Sequence, residues 1–293
     1  AVLLALIETL GFVQVDSIRT VERAHDLILF SRNQTYRKAD LEALLERDRL
    51  LFEHWTHDAA IIPVRFYPYW KHKFAAAAKR LPERWKRWQG EAFQSALVET
   101  LEQVKTSGPI YARDLKDEGH VSGGWWNWHP GKTALEYYWR TGEISICHRA
   151  GFQKAYDLSE RIIPDEVRLA EVDEAAFVDW SCRSALARTG FATSGEIAAF
   201  WDLVTPADAR VWVERGLASG ELCEVDLETV VKGQVRRCVA FADEVHTFAD
   251  APAPPSRVRV LSPFDPVLRD RARAERLFGF SYRIEIFVPE AKR

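Results

Sequence analysis

Apolar positions recur at helical spacing from Ala1 to Leu10, and Gly11 follows where a helix C-cap belongs. The next stretch changes period. Phe12, Val13, Val15 and Ile18 surround Gln14 and Asp16, an extended run whose amide and carboxylate leave from the same face. An edge strand with a polar outer face reads the same way. The pattern predicts helices over Val21–Ser31, Lys38–Arg47, Leu51–Ala60 and Trp85–Ser107.

Residues 90–163 have the outline of a winged helix. Ala92–Ser107 and Tyr111–Lys116 are its first helices, and Lys132–Thr141 is the candidate recognition helix. Strands Ile144–Cys147 and Lys154–Leu158 form a wing across the turn at Arg149-Ala150-Gly151. The order recurs downstream with Glu174–Thr189, Ser194–Leu203 and Pro206–Ser219, then strands Leu222–Asp226 and Val235–Phe241. Arg140-Thr141-Gly142-Glu143 and Ala218-Ser219-Gly220-Glu221 end the last helix of each set, marking an internal repeat of about 75 residues. Asp250–Ser256 is a Pro/Ala-rich linker. Strands Arg257–Leu261 and Ser281–Val288 around a charged helix at Arg269–Phe278 open a small β-rich domain. The expected class is mostly α with short β (α+β). Its units are 1–89, 90–163, 164–250 and 256–293.

Composition narrows the function classes. A chain of 293 residues with 47% hydrophobic content buries a sizeable core. It has no apolar run of about 18 residues. The apolar opening lacks a basic flank and carries Glu8, unlike a signal peptide. Cys147, Cys182, Cys223 and Cys238 form no CxxC pair and read as buried thiols of a reducing, cytoplasmic compartment. No Walker A, GxGxxG, GxSxG or paired CxxC motif is present, so neither a nucleotide cofactor nor zinc has positive support.

The net charge of −3 conceals a local imbalance. Arg65, Lys71, Lys73, Lys79, Arg80, Arg84, Lys86 and Arg87 face only Glu83 within one segment, interleaved with Tyr67, Tyr69, Trp70, Phe74, Trp85 and Trp88. Such a run is either a phosphate-tracking surface or a solvated helix face above core aromatics. Alternative DNA contacts lie at Arg149 and Lys154, at Arg236 and Arg237, or on the helix of Arg269, Arg271 and Arg273. His54-x-x-His57-Asp58 has metal-like spacing but no third ligand. Packing beside the extended triplet, or one imidazole on a phosphate, suits it better. Trp125, Trp126 and Trp128 are candidates for stacking on an extruded base, with core packing the favoured alternative.

Several ordered blocks carry a resemblance. They are Leu10–His25, Phe52–Tyr67, Gly124–Ile144, Gly151–Pro164 and Leu261–Arg293, which together resemble the YcaQ/AlkZ-type DNA glycosylases nearly end to end. The resemblance implies bacterial winged-helix enzymes with a concave, DNA-sized surface that excise alkylated purines and unhook interstrand crosslinks. That family's signature is Gln, apolar, then Gln or Asp. Gln14-Val15-Asp16 is similar to the branch with broader crosslink substrates. Asp16 then stabilises the sugar cation and serves as base, and Gln14 orients water. Arg19 meets a phosphate, or else pairs internally with Glu22. The expected partner is double-stranded DNA bearing alkylated or crosslinked purines, bound by a monomer without metal, cofactor or membrane. No lysine precedes Lys38, which favours a monofunctional glycosylase, although a distant lysine can fold into the site. Relatives carry further segments at both ends, so a fragment is expected. The competing reading is a non-catalytic winged-helix regulator, and Asp16 separates the two, because an acid near DNA repels phosphates.

Overall fold

The computed structural model describes residues 2–115, 129–250, 252–253 and 256–283. Helix α1 (Val2–Leu10) stops at Gly11, whose φ of +89° and N–H bond to the Ile7 carbonyl (2.8 Å) reverse the chain. A Cβ on Gly11 would stand 2.6 Å from the Trp201 ring, so close packing also demands glycine. Strand β1 (Val13–Gln14) follows, then α2 (Ala24–Arg32) and α3 (Lys38–Glu42), which runs into a π-helical turn at Ala43–Arg47.

The helix expected over Leu51–Ala60 is instead a hairpin. Strands β2 (Leu51–Trp55) and β3 (Ala59–Pro63) pair antiparallel, and β1 adds to β3, giving the order β1-β3-β2. Leu51, Phe52 and Trp55 imitate helical spacing. However, Glu53 and His54 are buried as well, so the segment has no polar face to give solvent. Thr56-His57-Asp58 makes the turn.

Helix α4 (Tyr67–Gln89) and helix α5 (Glu91–Ser107) replace the single helix expected from Trp85. Gly90, at φ +66°, separates them, and Pro68 sits in the first turn of α4, where its missing N–H costs nothing. Tyr67, Trp70, Phe74 and Trp85 are buried, and Tyr69 stacks on Trp180 at 3.9 Å. These aromatics are core, not stacking platforms.

The second unit holds β4 (Ile110–Tyr111), a 3-10 turn at Ala112–Asp114 where a second helix was expected, and α6 (Pro130–Arg140). Strands β5 (Ile144–Ala150) and β6 (Gln153–Leu158) complete a sheet of order β4-β6-β5. Trp125, Trp126, Trp128 and most of the expected strand at 281–288 lie outside the described residues.

Short helices α7 (Ser159–Ile162) and α8 (Asp165–Arg168) lead to α9 (Glu174–Thr189), α10 (Ser194–Trp201) and α11 (Pro206–Ser219). The hairpin β7 (Leu222–Glu228) and β8 (Val235–Phe241) closes this set, so three helices and a hairpin follow in the expected order. Thr193 and Thr205 begin α10 and α11 with capping boxes to Glu196 and Asp208.

Arg257–Leu261 is irregular rather than a strand. Val258 and Val260 are exposed there, with no described strand alongside to pair. Helix α12 (Arg271–Phe278) ends the described chain's regular structure.

One hydrophobic interior joins Phe12, Phe52, Ile62 and Trp70 to Leu186, Trp201, Trp212 and Val239. The first and third expected units therefore share a core. Among the described residues, no helix is long and apolar enough to cross a membrane. All four cysteines are free.

Candidate active site

Sheet register assembles the site. Gln14 lies opposite Ala60 on β3, and the Val15 N–H continues the ladder to the Ala59 carbonyl at 2.8 Å. This pairing sets the extended triplet beside the β2–β3 turn, which carries His57 and Asp58. Gln14 reaches Asp58 by a hydrogen bond and Asp16 acts on it through its charge, but their exposure differs. Gln14 is only 3% exposed, whereas Asp16 is half-buried at the strand's end. One Asp16 oxygen accepts the Ile18 N–H at 2.6 Å, and no cation of the described residues pairs with its carboxylate.

The Gln14 amide is fully placed. Its Nε2 donates to Asp58 Oδ2 at 3.0 Å, and its Oε1 lies 3.1 Å from His57 Nε2. Burial raises the Asp58 pKa and the charge of Asp16 raises it further, against an N–H bond from Ala59. Burial lowers His57 to about 4, with help from the charges of Arg269 and Lys73, so the ring is neutral at pH 7. Arg269 arrives from the C-terminal segment, its guanidinium over the Phe12 ring at 4.6 Å. A cavity of about 660 Å³ opens beside this contact, bordered by Arg188, Phe200 and Phe278.

His54 and His57 have separate partners. The His54 ring is buried and bonds the Trp139 carbonyl at 3.0 Å, whereas His57 faces Gln14 and Arg269. The imidazole spacing thus belongs to a strand and its turn, and His57 packs beside the triplet. Sequence reading missed Asp58 as a second carboxylate of the site, and it missed Arg269 as a member. The HD dipeptide was visible, but only the β2–β3 pairing brings it to Gln14. Nothing local ties Arg269 to a strand far away in sequence.

The basic run divides in two. Arg65 pairs with Glu8 at 3.1 Å, and Lys71 bonds the Ala170 carbonyl and Glu171. Lys73 gives its three protons to the Thr56 carbonyl (2.9 Å), the Asp202 carbonyl (3.0 Å) and Asp202 Oδ2 (3.1 Å). Lys79, Arg80 and Arg84 remain exposed on α4, with no ion pair among the described residues. A groove of about 600 Å³ beside them is lined by Lys73, Lys79, Arg80 and Arg140. Arg19 pairs with Glu22 at 3.1 Å while staying 55% exposed. Arg149 is committed elsewhere, in a forked bond to buried Glu53.

Residues 7–293 match the model of the family described as DNA glycosylase AlkZ-like. The chain belongs to that family and is a DNA N-glycosylase, an enzyme of DNA repair whose partner is DNA. Among solved structures, it is similar to the Streptomyces sahachiroi DNA glycosylase AlkZ at 15% identity. The TM-score is 0.62, and the match covers 99% of this chain and 74% of that one. At that identity the likeness speaks to the α+β fold.

If the exposed part of α4 tracks phosphates, replacing Lys79, Arg80 and Arg84 with Ala weakens damaged and undamaged duplex alike. Phosphate contacts position the protein without reading the lesion. Fluorescence anisotropy at several salt concentrations should show the slope of log affinity against log salt flattening by about one unit per lost contact. An unchanged slope would make this face merely solvated.

Proposed function

We propose that this glycosylase hydrolyses the N-glycosidic bond of N7-alkylated purines, and that it unhooks interstrand crosslinks built on such purines. Asp16 carries the reading. It is a partly exposed carboxylate, tied by one oxygen to a backbone N–H and without a cationic partner among the described residues. Its charge therefore stays available to a sugar that becomes cationic.

An N7-alkylated guanine already bears positive charge and leaves as a neutral base, so a general acid is dispensable. The protein must instead stabilise the oxocarbenium character at C1′ and align a water. At about 4 Å and an effective dielectric near 20, one carboxylate is worth on the order of 4 kcal/mol to a unit positive charge. Asp16 fills that role, and Gln14 positions the water. Arg19 and the α4 residues Lys79, Arg80 and Arg84 hold the phosphates. Arg65, Lys71 and Lys73, already engaged within the chain, contribute to the surrounding field. The two helix–hairpin sets serve as tandem winged helices around the duplex, in a monomeric enzyme.

Lys73 is the distant lysine brought near the site, yet all three of its protons are bonded. That favours simple hydrolysis over Schiff-base chemistry. An N7-methylguanine duplex and a nitrogen-mustard crosslinked duplex, each end-labelled and treated with enzyme, test the proposal. Free base and unhooked strands should appear, strand breaks should follow only after alkali, and borohydride should trap no adduct. Intact N7-methylguanine after prolonged treatment would overturn the substrate assignment.

A further inference from the structure

The hydrogen bonds around Gln14 run in one direction. Arg269 Nη1 lies 2.7 Å from His57 Nδ1. A guanidinium only donates, and Nδ1 is its near neighbour while Nε2 stands 3.5 Å away, so Nδ1 accepts and the ring proton resides on Nε2. Nε2 then donates to Gln14 Oε1 at 3.1 Å, which turns the amide so that its nitrogen donates to Asp58 Oδ2 at 3.0 Å. Asp58 Oδ1 receives the Ala59 N–H at 2.8 Å. Reversing the imidazole or the amide would set donor against donor or acceptor against acceptor.

Arg269 is itself fixed. Its Nη2 bonds the Phe200 carbonyl at 2.9 Å, and its N–H bonds the carbonyl of Asp265 at 2.8 Å. Asp265, fully buried, takes a forked bond from Arg32 at 2.6 and 2.9 Å. The chain of bonds thus starts in the C-terminal segment and ends at a carboxylate beside Asp16.

Exposure and free lone pairs together locate the working end, because exposed His57 has both ring nitrogens engaged, by Arg269 and Gln14. Gln14 is 3% exposed and sits behind the surface, whereas Asp58 is half-buried and keeps lone pairs beyond those given to Gln14 and Ala59. We propose that Asp58 is a catalytic base that takes the proton of the attacking water, and that Gln14, His57 and Arg269 are positioning residues for it. This rests on the assignment of Asp16 as the carboxylate facing the sugar, and it makes Gln14's hold on the water indirect.

The step balances. Water oxygen bonds to C1′ as the C1′–N9 bond breaks, and that bond's electron pair neutralises the cationic purine. The water proton passes to the Asp58 carboxylate, leaving an abasic C1′–OH and a neutral carboxyl, which later releases its proton to solvent. The groups facing Asp58 and His57 are Asp16 from the stretch after β1, Lys73 from α4 and Arg269 from the C-terminal segment. Asp58 must be ionised to act, so activity falls as pH drops through its raised pKa, and that limb lies above the ordinary aspartate range.

Single-turnover release of N7-methylguanine by the full chain is the test. Asp58→Asn should slow release by about a hundredfold and remove the acid limb. Asp58→Ala should be equally slow but partly restored by added formate, a rescue that a purely structural carboxylate would not show. Arg269→Met should lower the single-turnover rate at saturating enzyme with the half-saturating concentration unchanged, and shift the His57 ring ¹⁵N signals away from the Nε2–H tautomer, with Arg269→Lys recovering part of both. Wild-type rate and acid limb in Asp58→Asn would overturn the proposal. So would a folded, DNA-binding Asp58→Ala that formate leaves inactive. If Asp16→Asn is inactive while Asp58→Asn is active, only this assignment fails. An active Asp16→Asn removes the reading beneath it.

Discussion

Asp16→Asn is expected to slow base release from an N7-methylguanine duplex by about a thousandfold while leaving duplex affinity within a few-fold. Asparagine keeps the size of the side chain and its acceptor for the Ile18 N–H, so the Asx-type turn at 2.6 Å survives. What disappears is the negative charge. The roughly 4 kcal/mol assigned to that charge converts to about three decades at 1.36 kcal/mol per decade. Affinity changes little, because the ground-state duplex carries no oxocarbenium, and removing an acid near phosphates tends to favour binding. The loss should therefore fall equally on kcat and kcat/KM, the mark of an interaction made only in the transition state. Gln14→Ala should cost less, since it removes a positioning group and leaves both carboxylates. Wild-type excision by Asp16→Asn would show that the charge at this position does not serve the chemistry.

The longer helices and both hairpins downstream of Lys132 were legible because each one stands on local signals, whereas the one-turn helices α7 and α8 were not read. Thr193 and Thr205 cap α10 and α11, Gly220 ends α11, and β7 and β8 are short runs around a turn that holds Lys232 and Gly233. The Leu51–Pro63 hairpin was not legible. Its strands bury Glu53 and His54, which a periodicity of apolar residues counts as surface. The partners of those polar side chains are distant in sequence: Arg149 holds Glu53, and the Trp139 carbonyl bonds His54 Nε2. The same limit applies to the site. Gln14 and Asp16 were readable as a pair on one extended run, but Asp58 joins them through sheet register, and Arg269 through a segment more than two hundred residues away. Charge density likewise leaves out how each basic side chain is engaged. Composition cannot show that Lys71 and Lys73 point at carbonyls and acids of neighbouring elements.

Arg149→Met should be the most destabilising of the substitutions considered, at about 3–5 kcal/mol, and should lower the thermal midpoint by roughly 10 °C. Arg149 bonds Glu53 at 2.8 and 2.6 Å, and Glu53 is 6% exposed in the strand that leads to the His57–Asp58 turn. Burial by itself would raise the Glu53 pKa, but the charge and hydrogen bonds of Arg149 overcome it and hold the carboxyl below the ordinary range. The pair therefore contributes stability above the unfolded glutamate pKa, and that contribution is lost as pH falls through the lowered value. Arg149 also rests on Phe152 at 4.4 Å, with Arg23 on the same ring at 4.1 Å, so the β5–β6 turn is clamped to the N-terminal unit. Phe152 holds φ at +69°, a conformation a phenylalanine keeps only when its surroundings enforce it. Removing the guanidinium leaves a buried carboxylate without its partner and loosens that clamp. Replacing both charges, Glu53→Leu with Arg149→Met, should recover most of the loss, because the cost lies in the uncompensated charge and not in the absence of the pair. Calorimetry of the two single variants and the double variant decides the matter. A single Arg149→Met within about 1 kcal/mol of the parent would place this pair with the weak ion pairs of an exposed surface.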